Sequence, residues 1–188
     1  SAMTGVLNSN PPLTEFENTF EPQAVILPNA LLNSPGHQEG SIFTDATISS
    51  GGDHSCAILS NGSVACWGDN SGGQLGSGTS ATAVNSPVLT AGFGIGRTAV
   101  SISSGIYHSC AILDNGQVAC WGWSGNGQIG QGTTNSIVST PTLTSTFGSG
   151  RTAVAISSGD YHTCVILDTG LVSCWGVGGA GSIGDGSY

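Results

Sequence analysis

The chain contains no lysine and only two arginines, and charged residues of either sign make up 7% of its 188 positions. A nucleic-acid-binding surface needs a basic stripe to neutralise phosphates, and two guanidinium groups do not make one. Coiled coils and helix bundles need Glu, Lys and Arg on their wet faces, and these are equally scarce. Long apolar runs are missing too. The longest are stretches such as Ala24-Val25-Ile26-Leu27, far short of the roughly 18 residues of a membrane helix, so no membrane insertion is expected. Disorder combines low hydrophobicity with high charge, whereas here 38% of residues are hydrophobic and the mean hydropathy is +0.15. What is abundant is glycine, 31 residues, more than twice the roughly 7% of an average chain. The 11 acidic residues leave a net charge of −9. The composition describes a turn-rich, all-β protein with a polar but largely uncharged surface.

An internal repeat organises the chain. ISSGGDHSCAILSNGSVACWG begins at Ile48, ISSGIYHSCAILDNGQVACWG at Ile102 and ISSGDYHTCVILDTGLVSCWG at Ile156, a constant step of 54 residues. The register continues through Gly-Gln-Leu-Gly at 73–76, Gly-Gln-Ile-Gly at 127–130 and Gly-Ser-Ile-Gly at 181–184. It also runs upstream, where Asn33-Ser34-Pro35, Asn85-Ser86-Pro87 and Ser139-Thr140-Pro141 share a phase. Units are assigned to 33–84, 85–138 and 139–188. Residues 1–3 read as an expression scar, and residues 4–32 as an N-terminal extension able to add strands. No leader peptide is visible, which says nothing about compartment.

Each unit reads as four short strands. In the third they are a segment after Pro141, Ala153–Ser157, His162–Leu167 and Leu171–Trp175. Val, Ile and Thr suit half-buried strands, and Gly, Asn, Ser and Asp clusters separate them. Four strands in some 50 residues, repeated, is the arithmetic of a β-propeller blade.

The six cysteines fall on the central hairpin of each unit. Two registers are open around Asn61-Gly62. A two-residue loop pairs Cys56 with Trp67. A three-residue loop with Gly62 left-handed pairs Leu59 with Ser63 and Cys56 with Cys66. The second register sets the two Cβ atoms about 4.5–5.5 Å apart, close to what a disulfide requires. Three intra-blade disulfides are expected: Cys56–Cys66, Cys110–Cys120 and Cys164–Cys174. Disulfides persist in oxidising compartments, so an extracellular, cell-surface or periplasmic location is expected.

Taken together, Ile-Ser-Ser-Gly-x-x-His-(Ser/Thr)-x-(Ala/Val)-Ile, then Asn/Thr-Gly, Trp-Gly and Gly-(Gln/Ser)-(Leu/Ile)-Gly resemble the repeats of the regulator of chromosome condensation family. The resemblance covers residues 33–188. It implies a propeller, typically seven-bladed, that acts as a binding platform, and it implies no common enzymatic activity. Cysteine at positions usually apolar in the family looks like a secreted prokaryotic branch. The scarcity of Lys and Arg excludes a chromatin role like that of the family's namesake. Seven units at this period need about 380 residues, and three blades do not close a ring of the usual four to eight. Either more blades exist, or copies associate; two copies of three blades make a six-bladed ring with two-fold symmetry. A homo-oligomer is therefore an expected partner state.

Candidate site residues fall into three groups. His54, His108 and His162 stand two residues before the first Cys of each unit. One reading makes His-x-Cys part of a metal site; the favoured one has each His cap the Ser-Ser-Gly turn by bonding backbone groups between blades. The resemblance supports the latter, because the family keeps this His where Cys is absent. Trp67, Trp121 and Trp175 are read as packing between blades; a photoreceptor would need stacked Trp with Arg partners. The third group is the set of positions that vary at fixed phase: Asp53, Tyr107, Asp160 and Tyr161 before the His, and Asp69 and Trp123 after Trp-Gly. Loop positions that vary over a fixed core present a face. Trp123 has no repeated counterpart, which argues against a core role, and aromatics on a loop face suit protein or sugar binding. Drift at exposed loops explains the same pattern equally well.

Asp53 and Asp160 lack the Asp-x-Asp spacing of a calcium loop. No Ser/His/Asp triad, glycosidase carboxylate pair or phosphate loop can be placed. No catalytic residue, metal or cofactor is assigned. The leading expectation is a non-enzymatic binding module for a protein partner. The alternatives are a carbohydrate-binding propeller using Trp123 and the tyrosines, and an enzyme with its site in a propeller channel.

Overall fold

The structure, a computed structural model, describes residues 48–80, 83–134 and 136–186. The scar, the N-terminal extension and the head of the first unit lie outside the described residues. Among the described residues there are eleven strands: β1 Ile48–Ser50, β2 His54–Ile58, β3 Val64–Gly68, β4 Val84–Leu89, β5 Ala99–Ser104, β6 His108–Leu113, β7 Val118–Trp123, β8 Ile137–Leu143, β9 Ala153–Ser158, β10 His162–Leu167 and β11 Val172–Gly176. They form three antiparallel sheets, β1-β2-β3-β4, β5-β6-β7-β8 and β9-β10-β11. The fold is all-β and propeller-like, an open row of blades.

The hairpin register follows from its turn. Leu59 N–H donates to Ser63 C=O at 2.8 Å, Gly62 N–H donates to Leu59 C=O at 2.8 Å, and Gly62 sits at φ 76°. A left-handed third loop residue favours glycine, which has no Cβ to clash. The three-residue loop therefore holds, and Cys56 stands opposite Cys66, Cys110 opposite Cys120 and Cys164 opposite Cys174. All three pairs are disulfide-bonded.

The sheets are offset in phase from the sequence units. The strand carrying Pro87, placed at the head of the second unit by the repeat, pairs with β3 as the outer strand of the first sheet. The strand carrying Pro141 likewise pairs with β7. A repeat has no intrinsic starting point; hydrogen bonding decides where a blade begins. Pro is tolerated at such an outer strand because its missing N–H faces away from the ladder.

The cores lie between sheets. Val64, Cys66 and Leu75 of the first unit meet Ala99, Ile102, Ala111 and Trp121 of the second. Cys110, Ile112, Val118 and Ile129 meet Ala153, Val165 and Leu167 of the third. The Ser-Ser text ties the inner strands together: Ser104 N–H donates to Ser49 Oγ at 3.0 Å, and Ser158 N–H to Ser103 Oγ at 2.8 Å. Among the described residues no helix is long and apolar enough to cross a membrane.

Candidate binding site at the variable loop edge

The residue before each His and the residue after each Trp-Gly are neighbours, pinned by the main chain. Asp69 N–H donates to Asp53 C=O at 2.7 Å, Trp123 N–H to Tyr107 C=O at 2.8 Å, and Val177 N–H to Tyr161 C=O at 2.9 Å. Glycine is required between Trp and the variable position. Gly122 has φ 111°, and a Cβ on it would stand 2.4 Å from Tyr107 O. The same hydrogen bond therefore recurs while its side chains differ from unit to unit.

In the second and third units these side chains converge. Tyr107 and Tyr161 meet the Trp123 ring edge-on, at centroid distances of 6.4 and 6.2 Å and interplanar angles of 77° and 74°. With Ser71 and Gly72 they line a cavity of about 310 Å³. Each sheet's loops contribute: Ser71 and Gly72 follow β3, Tyr107 and Trp123 flank the second hairpin, and Tyr161 precedes β10. The indole lies on Gly125, where an added Cβ would come within 2.4 Å of Trp123 Cζ2. Gly72 is similarly close, its hypothetical Cβ 3.3 Å from Trp123 Cβ. Ser71, Gly72 and Gly125 were not singled out by the sequence. Their only signal is a missing side chain or a small one, common to every loop of this chain.

Asp69 stands behind the cavity wall. Its carboxylate accepts from Ser71 Oγ at 2.7 Å and from Gln74 Nε2 at 2.7 Å, and from Ser71 N–H at 3.2 Å. Partial burial pushes its pKa up, but hydrogen bonds from Ser71 and Gln74 outweigh this and hold it below the usual carboxylate value. Asp53 and Asp160 are exposed on the same loop edge and do not line the cavity.

The histidines do something other than cap a turn through backbone groups. His54 Nε2 meets Ser109 Oγ of the next sheet at 2.8 Å, and His108 Nε2 meets Thr163 Oγ1 at 2.9 Å. Ser109 Oγ donates onward to Gln74 C=O at 3.1 Å, which also accepts from Trp121 Nε1 at 2.8 Å. A hydroxyl has one proton to give, so His54 is the donor through Nε2–H. The relay recurs one unit later through Thr163, Gln128 C=O and Trp175 Nε1. The expected bridge between blades is present, but a hydroxyl replaces the backbone group. The sequence concealed this because the partner lies 55 residues away. Burial pushes His54 and His108 down to about 4, and their Nδ1 atoms face no hydrogen-bond partner.

Trp121 is fully buried between the first and second sheets, and Trp175 packs with Phe147 between the second and third. Trp67 is half-buried at the leading face of the first sheet. All six cysteines are oxidised in pairs, which removes the thiolates that the His-x-Cys metal reading requires. Among the described residues no group of three or more His, Cys, Asp or Glu side chains comes within reach of one ion.

Known proteins match this architecture. The model of the regulator of chromosome condensation (RCC1) repeat matches residues 46–74, 99–128 and 153–181 in one form, and 61–112 and 115–166 in a second. A zebrafish E3 ubiquitin-protein ligase, MYCBP2, is 37% identical over 86 residues, covering 46% of this chain and 2% of the ligase. The Arabidopsis ultraviolet-B receptor UVR8 is 32% identical over 85 residues, 45% of this chain and 19% of the receptor. The crystal structure of Prp20p from Saccharomyces cerevisiae, a protein with binding properties toward Gsp1p and histones, superposes with a TM-score of 0.65 at 26% identity. It spans 75% of this chain and 34% of that one. The chain thus spans a fifth or less of the curated relatives' length and about a third of the solved propeller.

Proposed function

Because the chain belongs to the regulator of chromosome condensation (RCC1) repeat family, a type of protein-interaction module, we propose that it is a non-enzymatic binding module that engages a protein partner through the loop edge carrying Tyr107, Trp123 and Tyr161. The observation that carries this reading is the convergence of three phase-variable aromatics, from two units, on one cavity. Rigid Tyr and Trp side chains supply large contact area at low entropic cost. Prp20p, which binds Gsp1p and histones, lends the reading support by analogy. Three disulfides fit an oxidising compartment, and we place the protein outside the cell, at its surface or in a periplasm. The test immobilises the wild-type chain and Trp123→Ala and exposes both to the exported proteins of the source cells and to a glycan array. Discrete proteins retained by the wild type and lost with Trp123→Ala are expected. Retention of glycans alone would transfer the site to the carbohydrate reading.

A second copy of the chain is the other partner we infer. In the second sheet Ile112 and Val118 are 3% and 1% exposed beneath the third sheet; their counterparts Ile166 and Val172 are 43% and 65% exposed. The groups that would complete a further junction are present at the two ends. His162 is in phase with His54 and His108, and Ser55 is in phase with Ser109 and Thr163. Head-to-tail contact would seat His162 on Ser55 of a second copy. Light scattering is expected to give twice the 18.6 kDa mass. A monomer at all concentrations would sink the idea.

A further inference from the structure

The aromatic cavity has a chemistry that selects among ligands. We propose that it receives a cation, the guanidinium or ammonium end of a basic side chain on the partner protein. This rests on the protein-binding reading and names the chemistry of the same site.

Shape comes first. Two tyrosines pack edge-on against the indole, at 77° and 74°, and the three rings line an open recess with Ser71 and Gly72. A compact cation is attracted to the negative face of a π-system. Polarity comes second. A sugar carries hydroxyls that need an array of donors and acceptors, whereas Ser71 supplies the sole side-chain hydroxyl of the lining besides the tyrosines' own. That hydroxyl is already committed to Asp69.

Charge comes third. Tyr107 precedes β6 and Trp123 ends β7, so the cavity sits at one edge of the sheet. Both arginines belong to the opposite edge, where Arg97 pairs with Asp114 at 3.5 Å and Arg151 with Asp168 at 3.7 Å, just past the ends of β6 and β10. The cavity edge carries Asp53, Asp69 and Asp160 and, among the described residues, no Lys or Arg. Asp69 is held ionised behind Ser71. Its charge reaches the recess without a cation of the chain's own to quench it. Field and π-faces favour the same sign of ligand.

The experiment follows the Trp123 indole N–H by NMR while Nα-acetyl-arginine amide is added, with the neutral isostere Nα-acetyl-citrulline amide and methyl glucoside as controls. The expected result is saturable movement of the Trp123 signal, with affinity for the arginine probe at least about fivefold above the citrulline probe. Asp69→Asn is expected to narrow that ratio; read instead through the ring signals of Tyr107 and Tyr161, which line the same cavity, Trp123→Ala is expected to abolish binding and Trp123→Phe to restore part of it. The unchanged indole signals of Trp121 and Trp175 would show that the variants fold. Equal binding of both amides, preference for the glucoside, or no movement overturns the cation assignment. If the assignment fails while Trp123→Ala still loses partner capture, the protein-binding reading stands. If capture survives Trp123→Ala, that reading falls with it.

Discussion

Strands β2, β6 and β10 are nearly one strand written three times, yet their burial differs. All six residues of β6 are buried. In β10, Thr163, Val165 and Leu167 are buried while Ile166 is exposed. In β2 the alternation is reversed, with His54 and Cys56 buried and Ser55 and Ala57 half-open. Successive strand residues point to opposite faces. The second sheet has neighbours on both faces, the third only on its leading face, and the first only on its trailing face among the described residues. The same side chains count as core or surface according to which blade stands beside them. In a repeat protein, stability is held by nearest-neighbour interfaces.

The most severe way to test this contrast is to place a charge on the trailing face. Val118→Asp is expected to cost more than about 4 kcal/mol, because it buries an unpaired carboxylate. Val172→Asp should leave a monomer folded and abolish self-association, read by urea titration and sedimentation. Equal losses in a chain shown to be monomeric would break the comparison. Ile112→Ala is next, at about 2–5 kcal/mol for a buried site. Ile166→Ala should cost under about 1 kcal/mol in dilute solution, rising with protein concentration if a second copy covers it.

The disulfides sharpen the contrast from the other side. Each closes a loop of the same length, with sequence separation 10. Removing either the Cys110–Cys120 or the Cys164–Cys174 bridge should cost a similar 2–3 kcal/mol, about the chain-entropy value. A markedly larger loss for the second sheet would show that packing around its buried sulfurs adds to the entropic effect.

Acid should weaken the junctions next. His54 and His108 titrate at about 4 in the fold against 6.5 in the unfolded chain, so the unfolded state binds more protons between those values. The stability from keeping them neutral is whole above pH 6.5 and is lost as pH falls toward 4, at up to roughly 1.4 kcal/mol per pH unit for each ring. His108→Gln should make that acid limb shallower in urea midpoints measured from pH 7 to 4.5. Thr163→Ala, which leaves the buried His108 Nε2–H without its acceptor, should cost about 1–3 kcal/mol. It is checked by the same titration.

Much of the fold was legible because much of it is local. Asn61-Gly62 and its counterparts determine a turn, the turn determines a register, and the register sets each cysteine pair face to face. Tyr107, Trp123 and Tyr161 could be singled out because they vary where their surroundings do not. The arrangement of the three into one cavity was hidden, since Trp123 meets Tyr161 across a blade junction and rests on a glycine without any signature. Gln74 was visible as part of a Gly-Gln-Leu-Gly motif, but its part in the blade junction is carried by its backbone carbonyl, which a side-chain pattern does not reveal.

The sequence by itself determined the period and the variable positions, through comparison of its three copies, and the hairpin pairing and disulfide partners, through a local turn that sets the register of the strands beside it. The tertiary structure alone decided which strand closes each blade, which hydroxyl answers each histidine and which loops meet around Trp123. The first joins strands about 20 residues apart within a sheet; the others join residues in different sheets, as far as 55 positions apart. A periodic sequence reads the same from any starting phase, so packing has to choose among the possibilities.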